Sequence, residues 1–331
     1  MSALAALAPA RSRARRNGKL LPGQTLRKDF ARNKYKYLIF LPVLIYLILF
    51  CYKPMYGVLL AFKNYRPGLG ITKSPWYHNP LTGELDLCYW FRKFFQDPYC
   101  FRVIRNTIVI SFYSIVVGFP IPILFALLLN EVRSSGFKRT VQTITYVPHF
   151  LSIVILCGML VQFCSLNGMF NIIRGWFGLD AVSMLNNTRY FRGIYVWSGV
   201  WQNFGWDSII YLAALAGVDQ EQYEAARIDG AGRLRQCWSI TLPGILPTIV
   251  MMFILRMGSV MGVGYEKVML LYNERTYEVA DVISTYVYRV GMVQSQYAYS
   301  TAINLFNSLV NILFLVSANK LSKKVSDIGL F

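Results

Sequence analysis

The chain has 331 residues, of which 55% are hydrophobic and 15% are charged. Soluble domains average about 25% charged residues, so this deficit indicates a protein that is largely buried in lipid. The formal net charge is +18, but ten of the 34 Lys and Arg residues lie within residues 1–36, ahead of the first apolar stretch. Basic residues beside a membrane span are typical of cytoplasmic flanks, and this placement argues against nucleic-acid binding.

The first residues do not have the order of a cleaved signal peptide, because their short apolar part precedes the basic residues instead of following them. We therefore expect residues 1–36 to be a basic cytoplasmic tail that is mostly flexible.

Six stretches are long and apolar enough to cross the hydrocarbon core, which takes about 20 residues, and they predict an all-α integral membrane protein. Lys53 and Pro54 interrupt the first stretch, and the third contains His149 but no Lys, Arg, Asp or Glu. The fourth and fifth each carry a single charge, Asp207 and Arg256. The predicted spans are residues 37–60, 107–129, 141–164, 193–218, 245–265 and 297–319.

Charge in the connecting segments predicts the orientation. If the N-terminus is cytoplasmic, the cytoplasmic segments are 1–36, 130–140, 219–244 and 320–331, and they hold 19 of the 34 Lys and Arg residues. This bias follows the positive-inside rule and places both termini in the cytoplasm. The two large outside segments, 61–105 and 266–296, are rich in Tyr, Trp and Val, so we expect them to pack as short helices.

Several chemistries are disfavoured by what the sequence contains. The six Cys residues show no CxxC spacing, so a metal site is not expected. Cys88 and Cys100 lie in one outside segment, either as a disulfide or as two free thiols. There is no GxxxxGK[ST] segment for ATP, and two His residues offer no catalytic cluster, so we expect no enzyme activity in this chain.

The cytoplasmic segment 219–244 has strong local signals. Asp219 with Gln222 three residues later is typical of a capping box and predicts a short helix from Gln220 to Ile228. Gly230 can adopt a conformation closed to other residues and should end this helix with a sharp turn. Pro243 then marks the expected start of the fifth span. The result would be a short helix at the cytoplasmic surface between two membrane helices.

Within this segment, small residues and acceptors could meet another protein. Ala225 and Ala226 allow close approach of a second surface, and Glu224 and Asp229 offer hydrogen-bond acceptors. An ordinary amphipathic loop is the alternative interpretation. The full pattern over 20 residues is more specific than Glu-Ala-Ala alone, and its residues are Glu224, Ala225, Ala226, Asp229, Gly230, Ile240, Leu242 and Pro243.

This pattern resembles the EAA loop of permease subunits in ABC importers. Over most of residues 35–325 the chain resembles an inner-membrane permease of a binding-protein-dependent importer of the maltose-permease type. Further segments resemble the branch that handles oligosaccharides and polysaccharide fragments: residues 52–65, 105–111, 146–152, 205–215, 264–273 and 281–291. Asn304 departs from this pattern, because a small residue is expected at its position in the sixth span.

The resemblance implies a type I importer permease fold in a bacterial cytoplasmic (inner) membrane. It implies a second permease subunit, usually a related chain, and two ATPase subunits that bind ATP and Mg at the cytoplasmic face. An outside binding protein would deliver an oligosaccharide, while this chain itself would bind no cofactor. Glu224, Ala225, Ala226, Gly230, Ile240, Leu242 and Pro243 correspond to the coupling motif that would contact an ATPase subunit.

The two charges inside predicted spans are candidates for the translocation path. Asp207 and Arg256 each lie 11 residues from the cytoplasmic end of their span, which is about 16 Å at the helical rise. Lone charges at that depth are costly, so they predict either a mutual salt bridge or a shared water-filled path. Trp201, Trp206 and Asn304 are weaker path candidates, and His149 is expected to pack between helices.

Other transport functions remain as alternatives. The cargo could be a peptide or an organic anion instead of a sugar. A secondary transporter would need ion-coupling residues, often in broken helices, and would leave the segment 219–244 unexplained.

Overall fold

A computed structural model describes residues 22–326 and 329–330, so the first part of the predicted basic tail lies outside the described residues. The described chain is helical, and its β-structure is limited to the isolated bridges Lys63–Trp76 and His78–Leu85. It divides into two units, one ending at Gly57 and one beginning at Val58.

The first unit is a nearly continuous helical run. Helix α1 (Pro22–Tyr46) passes into a π-helical segment (Leu47–Tyr52) and then into α2 (Lys53–Met55). Pro54 has no N–H donor and its ring crowds the carbonyl four residues earlier, which accounts for the wider π turn directly before it. Lys53 and Pro54 therefore change the type of helix instead of ending it.

The predicted outside segment 61–105 begins the second unit and folds as expected into short helices. The Lys63 amine donates to the carbonyl oxygens of Ile71 (2.8 Å) and Thr72 (3.0 Å), and the Trp90 indole donates to the Lys63 carbonyl (3.0 Å). Cys88 and Cys100 are both free thiols. The helical elements here are 3-10 segments Tyr56–Phe62 and Pro67–Leu69, α3 (Gly70–Lys73) and α4 (Tyr89–Gln96).

The central part of the chain supplies most of the long helices. Helix α10 lies at the middle of the unit and packs against α5, α6 and α13. The elements are α5 (Cys100–Gly118), α6 (Pro120–Asn130), α7 (Ser135–Tyr146), a 3-10 turn (Val147–Phe150), α8 (Ile153–Phe163), α9 (Met169–Trp176), a 3-10 turn (Met184–Asn186) and α10 (Thr188–Ala216).

The C-terminal part contains the remaining elements, and the predicted outside segment 266–296 again forms short helices. They are α11 (Gln220–Ile228), α12 (Arg233–Gln236), a π segment (Cys237–Thr241), α13 (Leu242–Met257), α14 (Tyr265–Leu271), a 3-10 turn (Glu274–Thr276), α15 (Tyr277–Ala280), α16 (Ile283–Tyr288), a π segment (Arg289–Val293) and α17 (Tyr297–Ser326).

The number of membrane crossings stays a prediction. Four helical runs of the described chain are long and apolar enough to cross, or five if a bent pair counts as one span: Arg32–Phe62, Cys100–Glu131, Arg233–Met257 and Tyr297–Lys324, with the pair Ser135–Phe150 and Ile153–Phe163. The predicted fourth span corresponds to α10, which has 29 residues but includes Gln202, Asn203 and Asp207.

The predicted third span, residues 141–164, is not one helix. Its two halves meet at an angle of 96°. Leu151 and Ser152 have extended backbones at the break, and the Ser152 hydroxyl caps α8 by accepting a hydrogen bond from the Ile155 N–H. The missing N–H of Pro148 and this new cap together favour ending one helix and starting another.

The predicted fifth span, residues 245–265, is also shifted. The helical run begins at Arg233 and ends at Met257, and residues 258–264 form turns. Asn307 and Asn311 of α17 hold these turns: Asn311 accepts from the Met261 N–H (2.8 Å), and Asn307 donates to the Met261 carbonyl (3.4 Å). Side-chain amides thus replace the helical bonds that end here.

A buried charge cluster joins two segments that the sequence analysis singled out separately, 105–111 and 281–291. The Asp281 carboxylate is fully buried and accepts from Arg289 (2.7 Å), Arg102 (3.3 Å) and Thr285 (2.8 Å). The Asn106 amide donates to the Asp281 carbonyl (3.0 Å). Burial lowers the pKa of Arg289, but its hydrogen bond and charge interaction with Asp281 outweigh this effect and raise the pKa above its ordinary value.

Candidate functional site

The segment 219–244 contains the predicted short helix with the predicted bounds. At its start the Asp219 side chain accepts a hydrogen bond from the Glu221 N–H (3.0 Å), one residue earlier than the predicted capping box with Gln222 requires. At its end Gly230 has φ +75°, and the Ala231 N–H donates to the Ala226 carbonyl (2.8 Å). This is a Schellman ending, in which a left-handed glycine lets the chain turn back and satisfies the last carbonyls.

The outer surface of α11 is open to contact by another protein. Glu224, Ala225 and Asp229 are exposed and Ala226 is half-buried. Ile228 is 87% exposed, and the nearby apolar side chain of Leu234 is 80% exposed. Apolar side chains grouped at an exposed surface with small residues are typical of a protein interface.

A hydrogen bond ties α11 to the helical run that follows it. The Tyr223 hydroxyl donates to the Thr241 hydroxyl oxygen (3.0 Å), and Thr241 is buried. Ile240, Leu242 and Pro243 lie inside this run and not in a loop, because it already begins at Arg233. Pro243 therefore does not mark the start of the helix, and the π segment Cys237–Thr241 accommodates it.

The same helical run ends at an open cavity between helices. One chamber of about 370 Å³ is lined by α5, α8, α10, α13 and α14, and includes Asp207, Arg256 and Lys267. A second chamber of about 140 Å³ adjoins it, since Ser114, Tyr195 and Arg256 line both. The turns 258–264 form one wall of the second chamber. We refer to the two chambers together as the cationic cavity.

Asp207 and Arg256 both line the cationic cavity, but they do not pair directly. No ion pair within 4.0 Å joins them among the residues that the structure describes. In the single chain neither side chain is buried. Of the two interpretations left open by the sequence, this arrangement favours the shared water-filled path over a structural salt bridge.

Lys267 is a cavity residue that the sequence analysis missed. It is 8% exposed, its amine donates to the Tyr195 carbonyl (2.8 Å), and the nitrogen lies 4.7 Å from the centre of the Tyr195 ring. A Cβ on Gly199 would lie 3.2 Å from this nitrogen, so the glycine leaves room for the amine. The signal available in the sequence was a Lys directly before the apolar run 268–271, but the segment was predicted to lie outside.

The weaker path candidates predicted from the sequence, Trp201, Trp206 and Asn304, do not line the cationic cavity. Trp201 lines a separate apolar cavity of about 520 Å³ with Trp197 and Phe163. The Trp206 ring stacks on His149 at 4.6 Å, and the His149 Nδ1 contacts the Asn203 amide oxygen at 2.9 Å, so this cluster packs the break in the third predicted span. Asn304 is exposed on α17.

Comparison with a family model and with characterised proteins finds related transport proteins. Residues 118–327 match the family described as "Binding-protein-dependent transport system inner membrane component". Protein LplB of Bacillus subtilis (strain 168) is 44% identical, with 91% of this chain and 92% of LplB covered. The polygalacturonan/rhamnogalacturonan transport system permease protein YteP of the same organism is 42% identical, with 91% of each chain covered.

A solved structure is also similar. A chain of a bacterial ABC transporter involved in the import of the acidic polysaccharide alginate has a TM-score of 0.81 and 41% identity, over 91% of this chain and 99% of that chain. That transporter has also been solved in complex with an alginate pentasaccharide-bound periplasmic protein. This chain therefore belongs to the family of binding-protein-dependent transport system inner membrane components.

Proposed function

We propose that this chain is a permease subunit of an ATP-driven importer and forms half of the translocation path for an oligosaccharide. Family membership supports the transport role. A carbohydrate cargo is supported because YteP is a polygalacturonan/rhamnogalacturonan permease protein and the similar solved transporter is involved in alginate import. The observation that carries the proposal is a continuous helical run, Arg233–Met257, which begins beside α11 and ends at the cationic cavity.

This run connects the surface of α11, where the ATPase subunit binds, to the cavity, where the cargo binds. An ATPase subunit binds the exposed surface of α11 at Glu224, Ala225 and Ala226. When the ATPase pair closes on ATP and Mg, α11 moves, and the bond from Tyr223 to Thr241 transmits the movement to α13. Arg256 lies at the far end of α13, so the lining of the cavity shifts with it. This chain supplies no catalytic group for ATP hydrolysis.

The complete path needs partners. A second permease subunit forms the other half, and an extracytoplasmic binding protein delivers the cargo from outside. In this arrangement α11 and both chain termini face the cytoplasm. The short helices of 61–105 and those of 266–296 that follow α14 face the binding protein. Sugar hydroxyls can bind the polar lining of the cavity, which includes Tyr195, Gln202 and Asn203.

A cargo other than sugar is the alternative, and the two cations of the cavity favour it as a second candidate. Arg256 and Lys267 would also bind the carboxylate of an organic anion or a peptide. A cargo panel must therefore contain these solutes besides oligosaccharides.

The test is ATPase activity of the reconstituted complex with the binding protein present. The wild type is compared with Glu224→Arg plus Gly230→Pro, which reverses a charge and removes the glycine from its left-handed position. Lys320→Glu, which reverses a charge at an exposed site on α17 outside α11 and the segments 61–105 and 266–296, is the matched control.

We expect a loaded binding protein to stimulate the wild type and the control at least about tenfold more than the double variant, which corresponds to about 1.4 kcal/mol of coupling. Equal stimulation of all three complexes would overturn the coupling role of α11. Stimulation by a peptide or organic anion, and by none of the oligosaccharides, would replace the sugar cargo with that solute.

A further inference from the structure

The side chains of the cationic cavity carry an excess of positive charge. Arg256 and Lys267 are cations, and Asp207 is the one carboxylate among the lining residues. Neither cation has a carboxylate within 4.0 Å in the described part of the chain. An anion entering this cavity would therefore find two positive groups that have no ionic partner.

Lys267 is the stronger evidence for an anion-binding site because its side chain is buried. An ammonium group has three N–H donors, and among the described residues this one has one hydrogen-bond acceptor, the Tyr195 carbonyl. The carbonyl and the Tyr195 ring are both neutral, so the buried charge has no anion to neutralise it. The remaining donor capacity suits a carboxylate, which accepts several hydrogen bonds and also neutralises the charge.

The elements of the fold place the two cations on opposite sides of one turn. Arg256 ends α13, Lys267 lies in α14, and residues 258–264 connect them along the cavity wall. Tyr195 lines both chambers and lies under the Lys267 amine. A sugar ring beside Tyr195 would thus have its exocyclic substituents close to positive charge.

We infer that Arg256 and Lys267 together recognise the carboxylate of a uronic acid unit, so that the cargo is an acidic oligosaccharide. The inference rests on the oligosaccharide import proposed above. Asp207 limits the net charge of the cavity to about one unit, which matters because a transported ligand must bind and also leave. Arg256 and Lys267 select for the carboxylate, and Asp207 keeps the bound state weak.

The experiment uses matched probes. Trimers of galacturonate and of mannuronate are compared with their fully methyl-esterified forms, which keep the sugar backbone and lose the charge. Equilibrium binding is measured on the purified transporter complex in nanodiscs without the binding protein, so that the preference of that protein does not enter. Uptake into proteoliposomes with the binding protein is the second readout.

We expect the wild type to bind at least one acid trimer about tenfold or more tightly than its ester. Lys267→Gln and Arg256→Gln should each reduce this ratio to threefold or less, and Lys267→Arg should restore most of it because the charge is kept. Asp207→Asn should strengthen binding of the acid and slow its release. Lys73→Gln, which removes an exposed Lys elsewhere, should leave the ratio unchanged.

Co-purification of the partner subunits reports whether each variant assembles. If Lys267→Gln does not assemble, Arg256→Gln carries the test, because Arg256 is exposed and is not part of a buried network. Equal binding of acid and ester by the wild type, or a ratio that neither Gln variant changes, would overturn the inference and leave oligosaccharide import standing. Absence of binding and of uptake for all four trimers, with the complex intact, would count against both.

Discussion

Charged side chains of this protein fall into two kinds of environment. Asp281 is fully buried and is held by Arg289 and Arg102, so it is a structural ion cluster. Asp207 and Arg256 line a cavity and have no such partner among the described residues. The sequence contains opposite charges at both sites and does not distinguish the two environments. In the structure Asp281 is buried and hydrogen-bonded to its cations, whereas Asp207 is not buried.

Asp281→Asn should destabilise the protein strongly. The substitution leaves two partly buried guanidinium groups without their anion, and removal of one partner of a buried pair costs about 3–5 kcal/mol. Thermal unfolding of the purified chain in detergent would measure this as a lower midpoint. Asp180→Asn is the control, because Asp180 is exposed and should shift the midpoint little. Equal midpoints for the two variants would show that the cluster does not hold the fold.

Helix α11 is the element whose placement was easiest to predict. Its start depends on Asp219 and its end on Gly230, and both act within a few residues of chain. The fifth helical run was harder, because Pro243 looked like a beginning. A π segment accommodates the proline within the run, and α17 decides where the run ends through Asn307 and Asn311.

The bond between α11 and this run can be tested alone. Tyr223→Phe removes the hydroxyl that donates to Thr241, and a neutral hydrogen bond contributes about 0.5–1.5 kcal/mol. We expect the transport per ATP hydrolysed to fall about two- to tenfold, while assembly is kept. Thr241→Val should have a similar effect.

The double variant completes the cycle. If the two hydroxyls act through one bond, combining Tyr223→Phe with Thr241→Val should cost no more than either change alone. Additive losses would mean that each residue acts by some other contact.

At the scale of the whole molecule, the distribution of basic residues predicts the orientation in the membrane, which can be measured directly. Cys88 is exposed in the predicted outside segment, and Ile228, which is 87% exposed, lies on α11. In a variant of the protein whose other five cysteines are replaced, a membrane-impermeant maleimide should label Cys88 in intact cells. It should label Ile228→Cys only after the membrane is made permeable. The reverse pattern would contradict the proposed topology.

The sequence by itself determined the local features: the capping residues and bounds of α11, the short helices of the two predicted outside segments, and the motif that led to the family. These depend on neighbouring residues and on helix propensity, which act over a few positions of chain. The tertiary structure alone decided the 96° break after Pro148, the early start and early end of the fifth run, and the burial of Lys267. Each of these depends on contacts between distant segments, such as Lys267 with Tyr195 and Asn311 with Met261, whose packing no local pattern encodes.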